Sequence, residues 1–179
     1  MKIYYVRHGQ TDWNLARKMQ GGETERPLNE TGIEQAKQAR QALENVQYDL
    51  IIRSPMQRVE ETVQIINENK NVPVINDERI REIKLGKLEG HSITPELENK
   101  IWDYKLNYQN PEGESLYQFE KRILEFIKEI KQKYNDKTIL IVAHGGVAKI
   151  FKSYFYGMPK SKNLNEIKIN NCEILEIEV

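Results

Sequence analysis

Three short apolar segments constrain the fold of this chain most, because each is followed by a small or polar turn and then by a helical pattern. They lie at residues 3–6, 49–52 and 138–142. Continuous apolar runs of this length, alternating with helices, are typical of strands buried on both faces of a parallel sheet. The pattern predicts an α/β fold of three layers, α/β/α, with a mostly parallel central sheet.

Two further segments, 72–75 and 172–179, also have strand character. The second alternates apolar and polar residues, which is typical of a half-exposed edge strand. Cys172, the only cysteine, is expected to be a buried residue of that strand, because no Cys-x5-Arg loop that would cradle a phosphate surrounds it.

Several helix starts can be recognised from their capping residues. A hydroxyl residue followed three positions later by Glu or Gln is typical of a capping box. The matching pairs are Thr31 with Glu34, Ser54 with Gln57, and Ser115 with Gln118. Pro55 and Pro95 each follow a capping candidate, where proline is favoured as the first helical residue. Apolar residues at three- and four-residue steps from Leu116 to Tyr134 predict a core-facing amphipathic helix.

Composition limits the kinds of partner that the chain can bind. Its 179 residues suit a single domain over 1–179, and 27 basic side chains balance 27 acidic ones. That balance provides no broad basic surface for nucleic acid or anionic lipid. No apolar stretch approaches the ~20 residues of a membrane helix, and a single cysteine suits a reducing compartment. We therefore expect a cytoplasmic protein with no nucleic-acid or membrane partner; the choice between monomer and homodimer stays open.

The loops after the three apolar segments carry the most reactive residues. Arg7 and His8 follow the first segment, Ser54 the second and His144 the third. Such loops converge at the carboxyl edge of an open α/β sheet, where ligands bind. Arg58 lies one turn into the helix after Ser54, and helical side chains lean toward the N-terminus, so its guanidinium can reach the same place. Two guanidiniums and two imidazoles around one small volume suit a phosphate group.

Each of these residues also has a purely structural interpretation. A lone histidine after a strand is more often a packing residue, but two His-Gly pairs after two strands favour a ligand site, because glycine allows close backbone approach. Arg58 could instead pair with Glu61 on the same helix, a contact worth only ~0.2 to 0.5 kcal/mol. His91, in a polar segment, is expected to face solvent.

The motifs around these residues resemble those of the histidine phosphatase superfamily, the phosphoglycerate mutase-like proteins, in order and over nearly the whole chain. The first motif is Arg7-His8-Gly9-Gln10-Thr11-Asp12-Trp13-Asn14. The later ones are Gln20-Gly21, Pro27 to Gly32, Ser54-Pro55 to Arg58, Glu82 with Gly86, Glu89-Gly90, Pro111 to Ser115, and Ala143-His144-Gly145-Gly146. The resemblance is to the phosphatase branch, and it implies the phosphoglycerate mutase-like fold.

This resemblance implies roles for individual residues. His8 would be the nucleophile that takes the phosphoryl group as a phosphohistidine, and Glu82 would protonate the leaving alcohol and then activate water. Arg7, Arg58 and His144 would hold the non-bridging oxygens. The residues expected at the phosphate or the substrate are Asn14, Gln20, Gly21, Glu114 and Gly145. No metal or cofactor is expected.

Elementary chemistry agrees with these roles but leaves two of them open. A neutral imidazole is a competent nucleophile, and neighbouring arginines are expected to lower the pKa of His8 below the usual ~6.5. From spacing alone, Glu82 is equally well explained as a surface partner of Arg79 or Arg81. Glu114 is also simply the residue before a helix cap. The resemblance favours an active-site position for both.

The predicted function is a metal-independent phosphomonoesterase that acts on a small phosphorylated metabolite through a phosphohistidine intermediate. The alternatives are a cofactor-dependent phosphoglycerate mutase and a non-catalytic phospho-ligand-binding module. The mutases that the chain resembles have a larger insert, whereas only 23 residues separate Gly90 from Glu114 here. The short insertion around 91–114 offers candidates for a lid, although its aromatics equally suit a core-facing helix from Thr94. They are Trp102, Tyr104 and Tyr108, with Lys105 beside them.

Four positions depart from the usual pattern of the family. They are Arg53 in place of a small residue, Glu61 in place of Gln, Glu25 in place of Asp, and Leu88 in place of Trp. None of them removes a predicted catalytic group. They bear on the rim of the pocket and therefore on the choice of substrate.

Overall fold

The computed structural model describes residues 1–179 and confirms the predicted α/β class. Five strands form one sheet in the order β3-β2-β4-β1-β5. The strands are β1 Lys2–Arg7, β2 Leu50–Arg53, β3 Val74–Asn76, β4 Thr138–Ala143 and β5 Ile174–Glu178. The α-helices are α1 Asp12–Leu15, α2 Glu30–Ala42, α3 Gln57–Asn67, α4 Pro95–Ile101, α5 Leu116–Lys133 and α6 Gly145–Tyr156. Short 3-10 turns lie at Glu78–Ile80, Gly86–Leu88 and Leu164–Glu166.

The sheet is parallel except at one edge. β4 pairs in parallel with β1 on one side and with β2 on the other, and β2 pairs in parallel with β3. β5 is antiparallel to β1 and forms the edge strand that the alternation predicted. Arg7 lies beside Ala143, and Arg53 lies beside Val142. The loops after β1, β2 and β4 therefore start side by side.

Helices cover both faces of the sheet. On one face, Ile3 and Tyr5 belong to the larger core, which also contains the buried residues of α5 and α6. On the other face, Tyr4 and Val6 pack with residues of α2 and α3. Successive residues of one strand thus face opposite cores, as the pleat requires. This arrangement confirms the predicted three layers.

Two predicted helix starts are confirmed. Ser115 accepts a hydrogen bond from the backbone N–H of Gln118, whose side chain in turn accepts from the N–H of Ser115, so a capping box begins α5. Thr94 caps α4, and Pro95 is its first residue. The apolar positions predicted to face the core along α5 are buried, namely Phe119, Ile123, Ile127 and Ile130.

The predicted capping box at Ser54 is wrong. α3 begins at Gln57, and no side chain of the preceding loop caps it. The backbone N–H of Gln57 donates instead to the carboxylate of Glu25 at 2.7 Å. A cap supplied by a distant loop has no local sequence signal, and the hydroxyl of Ser54 is used in the site described below.

Two smaller predictions are also wrong. Thr31 does not cap α2, because Asn29 accepts from the N–H of Gly32 at 2.9 Å and starts the helix at Glu30. Cys172 is not in a strand: it lies half-buried in the turn before β5 with a φ of 55°. A residue in this left-handed conformation cannot continue an extended strand.

The segment 91–114 consists of α4 followed by turns. Trp102 is buried in the larger core, and Tyr104 and Tyr108 are partly buried against it. The hydroxyl of Tyr104 donates to Glu120 at 2.8 Å, whereas Lys105 is exposed. The aromatic side chains therefore pack on the core, as one of the two interpretations predicted. A lid function for the segment remains a prediction. None of the helices combines the length and the apolarity needed to span a bilayer.

Candidate active site

Four of the predicted residues meet where β1, β2 and β4 end. The imidazole rings of His8 and His144 have centroids 5.3 Å apart. The guanidinium of Arg58 reaches both of them, with Nε 3.3 Å from Nε2 of His8 and Nη2 3.2 Å from Nδ1 of His144. All three side chains are buried. Arg7, one residue before His8, completes the pair of guanidiniums.

The hydrogen bonds of His8 fix which nitrogen can react. Its Nδ1 lies 2.7 Å from the carbonyl oxygen of Gly9, which can only accept, so Nδ1 carries the proton. Nε2 is therefore the nitrogen with the lone pair, and it faces the N–H of Arg58. This is the tautomer that a nucleophilic attack through Nε2 requires.

His144 is held in the opposite tautomer. Its Nδ1 accepts from Arg58, which can only donate, so the proton lies on Nε2. Nε2 is 2.7 Å from the hydroxyl oxygen of Ser54. The hydroxyl of Tyr5 donates to the carbonyl of His144 at 2.6 Å and holds the backbone at this point. Ser54 is thus a partner of His144 and not a helix cap.

Both imidazoles are neutral at physiological pH. Burial, followed by the charges of Arg58 and Arg7, lowers the pKa of His8 well below 6.5. Burial and the charge of Arg58 do the same to the pKa of His144. The expected effect of the arginines is confirmed in direction, but burial contributes more.

Arg58 is held by backbone carbonyls and by no carboxylate. Its Nη1 donates to the carbonyl of Thr24 at 3.2 Å and its Nη2 to that of Gly21 at 3.0 Å. Glu61 instead accepts from the N–H of Leu28, which excludes the simple pairing along the helix. Burial lowers the pKa of Arg58 to about 10, so it stays a cation at neutral pH. Gly21, a predicted site residue, acts here through its carbonyl.

Two buried donors that line one cavity have no hydrogen-bond partner in the protein. They are Nε of Arg7 and Nε2 of Gln20. Nη1 of Arg7 donates to the carbonyl of Ile169 at 2.7 Å, and a side chain at Gly145 would come within 3.4 Å of Nε. Asn14 donates to Oε1 of Gln20 at 3.3 Å. Unpartnered buried donors are rare, and two at one place favour an anion as their partner.

Glu82 lies buried at the same place, and its carboxylate is bound by the backbone. Oε1 accepts from the N–H of Ile83 and Oε2 from the N–H of Gly146, both at 2.9 Å. A side chain at Gly146 would lie 2.1 Å from Oε1 of Glu82. Arg79 and Arg81 pair with other carboxylates, so the surface interpretation of Glu82 is wrong.

Glu114 does not reach the imidazoles. Its carboxylate forms two hydrogen bonds with Arg122, at 2.8 and 2.9 Å, and accepts from the N–H of Lys84 at 2.9 Å. Arg122 also donates to the carbonyls of Arg81 and Glu82 at 2.8 and 3.0 Å. The pair therefore fixes the loop that carries Glu82. Glu114 therefore supports the position of Glu82, and the expected contact of Glu114 with substrate is wrong.

A cavity of about 210 Å³ opens next to these residues. One side, which we call the phosphoryl side, is formed by Arg7, Asn14, Gln20, Glu82 and Gly145. The other, the Lys149 side, contains Trp102, Lys149 and Ile167. Five predicted site residues thus line the cavity, while His8, Arg58 and His144 are buried beside it.

Sequence reasoning missed two functional candidates, Gly146 and Lys149. It placed Ser54 in a loop at the carboxyl edge of the sheet but gave it a capping role instead of a contact with His144. Gly146 carries a signal, because the second glycine of His144-Gly145-Gly146 is needed for the approach of Glu82. Lys149 is a lysine in an otherwise apolar stretch of α6, which is a weak signal. His91 is exposed, as predicted. His, Cys, Asp and Glu side chains do not gather in groups of three or more that could hold a metal ion.

Comparisons with known proteins identify the family of this chain. The sequence model of the histidine phosphatase superfamily (branch 1) matches residues 3–179. Uncharacterized phosphatase PhoE of Bacillus subtilis is 37% identical over 143 residues, which cover 80% of this chain and 71% of that protein. Probable phosphoglycerate mutase GpmB of Serratia proteamaculans is 31% identical over 99% of this chain and 85% of its own.

Solved structures give the same result. YhfR of Bacillus stearothermophilus has a TM-score of 0.87 and 31% identity, covering 99% of this chain and 91% of that one. The α-ribazole phosphatase of Shigella flexneri has a TM-score of 0.85 and 26% identity, covering 100% and 91%. With a match over almost its whole length, the chain belongs to the histidine phosphatase superfamily, branch 1.

Proposed function

We propose that the protein is a metal-independent phosphomonoesterase that cleaves a small phosphorylated metabolite through a phosphohistidine on His8. The observation that carries the proposal is the fixed tautomer of His8, whose Nε2 lone pair is free of a proton next to Arg58. The arrangement combines a nucleophile, two guanidiniums and a carboxylic acid, which are the groups that phosphoryl transfer needs.

The first step forms a bond between Nε2 of His8 and phosphorus and breaks the bond from phosphorus to the ester oxygen. Glu82, in its acid form, gives its proton to that oxygen, and the alcohol leaves. In the second step a water molecule attacks phosphorus while Glu82 takes one of its protons. The electron pair of the nitrogen–phosphorus bond returns to Nε2, and inorganic phosphate leaves.

The cations stabilise the negative charge on the transferred group. Without substrate, Arg58 donates to the two imidazoles. We propose that the same N–H groups donate to the phosphoryl oxygens when substrate binds. Nε of Arg7 and Nε2 of Gln20 are further donors that have no partner in the protein. Unlike Arg58, these two donors have no hydrogen bond to give up, so they stabilise the developing negative charge without changing partners.

His144 contributes through Ser54. Ser54 accepts from Nε2–H at the 2.7 Å contact, so His144 keeps that proton when a phosphate ester in its monoanionic form gives its own proton to Nδ1. The imidazolium formed in this way donates Nδ1–H to the phosphoryl oxygen and Nε2–H to Ser54.

Phosphoglycerate mutase is the second candidate function, because the relative from Serratia proteamaculans bears that name. The two differ in the acceptor of the phosphoryl group, which is water for one and a second hydroxyl for the other. Incubation with 3-phosphoglycerate and 2,3-bisphosphoglycerate separates them. We expect free phosphate to accumulate; accumulation of 2-phosphoglycerate would identify a mutase.

The main experiment uses the purified protein in EDTA with an aryl phosphate labelled in the phosphoryl group. We expect phosphate release and, after rapid acid-free quenching, label on His8. His8→Ala should abolish both, with a loss of at least about 10³-fold, while its circular dichroism spectrum stays unchanged. Turnover in the variant, or turnover that EDTA removes, would contradict the proposal. Binding without turnover by the unaltered protein would identify a non-catalytic module. A cytoplasmic location, which suits a chain with one cysteine, remains our prediction.

A further inference from the structure

Lys149 belongs to the cavity but not to the phosphoryl-transfer chemistry. It lies on α6 one turn after Gly145, so both residues are on the same face of the helix. Its side chain leans back toward the helix N-terminus and lines the cavity together with Arg7 and Glu82. The amine is therefore placed beside whatever is attached to the phosphate.

The amine of Lys149 has hydrogen-bond partners but no carboxylate within ion-pair distance. Nζ donates to the carbonyls of Leu164 at 3.0 Å and Ile167 at 2.6 Å. An ammonium group has three donors, so one remains. The residue is only 8% exposed, and it forms no ion pair with a carboxylate. The carboxylates of Glu98 and Glu82 line the same cavity and attract the amine from a greater distance. A buried cation that forms no direct ion pair is unusual.

The cavity wall around Lys149 is mixed: eight of its 18 residues are apolar, and the charged residues Glu98 and Lys168 also line it. Nζ lies 5.3 Å from the centre of the Trp102 ring. The apolar residues that line the cavity are Met19, Ile83, Leu85, Ile93, Ile101, Trp102, Ile167 and Ile169. Burial and the charge of Lys168 lower the pKa of Lys149 to about 8, so the amine is mainly charged at neutral pH. An anion beside it is attracted more strongly than in water, because apolar walls lower the local dielectric constant.

Resting on the function proposed above, we propose that Lys149 binds a second anionic group on the alcohol part of the substrate. The substrate class is then a short phosphate ester with a carboxylate or a second phosphate at its far end. Lys149 lies four positions after Gly145, which is next to Arg7, and this corresponds to a rise of about 6 Å along the helix. This spacing suits a linker of a few carbon atoms.

A purely structural role is the competing explanation. The two hydrogen bonds of Lys149 attach the turn Leu164–Glu166 and the residue after it to α6, and losing them would affect every substrate alike. Lys152 provides a matched control on the same helix. Its Nζ donates to the carbonyl of Lys168 at 2.8 Å, so it ties down the same connecting segment from outside the cavity.

The experiment compares three esters of one chain length: propyl phosphate, the same ester with a terminal carboxylate, and the same ester with a terminal phosphate. The unaltered protein should have a higher kcat/KM for one or both of the doubly anionic esters. Lys149→Met should reduce that preference by ~10- to 100-fold, as expected for a charged hydrogen bond, and Lys149→Arg should retain part of it. Lys152→Met should leave the preference as it is. The carboxylate and phosphate esters distinguish the two sources of the anion.

Equilibrium binding makes the test independent of turnover. The corresponding phosphonates, in which CH₂ replaces the ester oxygen, are titrated into the unaltered protein and the variants by calorimetry. The same loss of preference in Kd is expected for Lys149→Met. An equal loss for all three compounds, or no preference in the unaltered protein, would overturn the Lys149 proposal. Phosphonate binding with the expected preference but no turnover of any ester would refute the phosphatase and leave the anion site standing.

Discussion

Arg58, buried beside the phosphoryl side of the cavity, and Lys149, on the other side, are held in the same way but by different parts of the chain. Arg58 donates to two backbone carbonyls, and so does Lys149. Carbonyl groups fix the position of a cation without neutralising its charge, so that charge stays available to a ligand. This shared feature is the basis for proposing an anion on both sides.

The difference lies in what surrounds the two cations. Around Arg58 are a nucleophile, a second guanidinium and unpartnered donors, all from loops at one edge of the sheet. Around Lys149 are a tryptophan ring, aliphatic side chains from α4 and the segment between α6 and β5, and the charged side chains of Glu98 and Lys168. The groups around Arg58 include a nucleophile and can take part in a reaction. The groups around Lys149 include none and can affect only which substrates bind. Changes on the phosphoryl side should therefore affect every substrate, and changes on the Lys149 side should affect only some.

The largest effect that sharpens this comparison is expected from Glu82→Gln. The amide can still accept from the N–H of Gly146 but cannot protonate a leaving group, so alkyl esters should lose ~10²- to 10⁴-fold in kcat. Aryl esters, whose leaving group departs unprotonated, should lose much less. The loss should be the same with and without a second anion. If the loss of kcat depends on whether the ester carries a second anion, the two sides of the cavity do not act independently. Equal losses of kcat for aryl and alkyl esters would contradict the role of Glu82 as an acid.

A smaller effect is expected from Arg122→Met. Arg122 binds Glu114 and the carbonyls of the loop that carries Glu82, so the variant should misplace Glu82 and lower kcat for alkyl esters by ~10-fold. Aryl esters should be nearly unaffected, which a general loss of stability would not produce. Lys121→Met, at an exposed neighbouring position of α5, is the control. If the variant lowers aryl and alkyl turnover in parallel, Arg122 has no specific role in placing Glu82.

The smallest expected effect is that the imidazoles of His8 and His144 do not titrate near neutral pH. Because burial and the arginines hold the pKa of His8 and His144 well below 6.5, their imidazole carbon-bound protons should keep constant NMR shifts from pH 6.5 to 8. In the unfolded chain both groups bind protons near pH 6.5. The unfolded state therefore binds more protons below that pH, and the free energy of unfolding should decrease on acidification. A titration of either ring near neutral pH would show that burial and the guanidiniums together do not keep that imidazole neutral.

The phosphoryl side could be predicted from the sequence because its residues directly follow strands. The position of Arg7, His8 and His144 at strand ends fixes where they meet, and the reach of Arg58 follows from helix geometry. The sequence gives no sign that Ser54 leaves α3 uncapped, because the carboxylate that binds the first N–H of α3 belongs to Glu25 in a distant loop. The predicted contact of Glu114 with substrate was wrong for a similar reason. Its partner Arg122 lies inside α5, and no local sequence signal links the two residues.

The Lys149 side could not be predicted, because side-chain packing and not strand order creates it. Its walls come from α4, from the turns after it and from the connection between α6 and β5. Periodicity identifies these residues as apolar, but it does not say which of them leave a cavity between them. The interpretation of Trp102 as a core residue was correct, yet the same ring also forms a cavity wall.

The two edges of the sheet have a consequence for the behaviour of the protein at high concentration. β3 is only three residues long, and β5 presents Glu176 and Glu178 to solvent. Free backbone groups along an edge can recruit a strand from another molecule, and short or charged edges hinder this addition. Because the interior strands are strongly apolar, these two edges are what protects the molecule from stacking into intermolecular sheets.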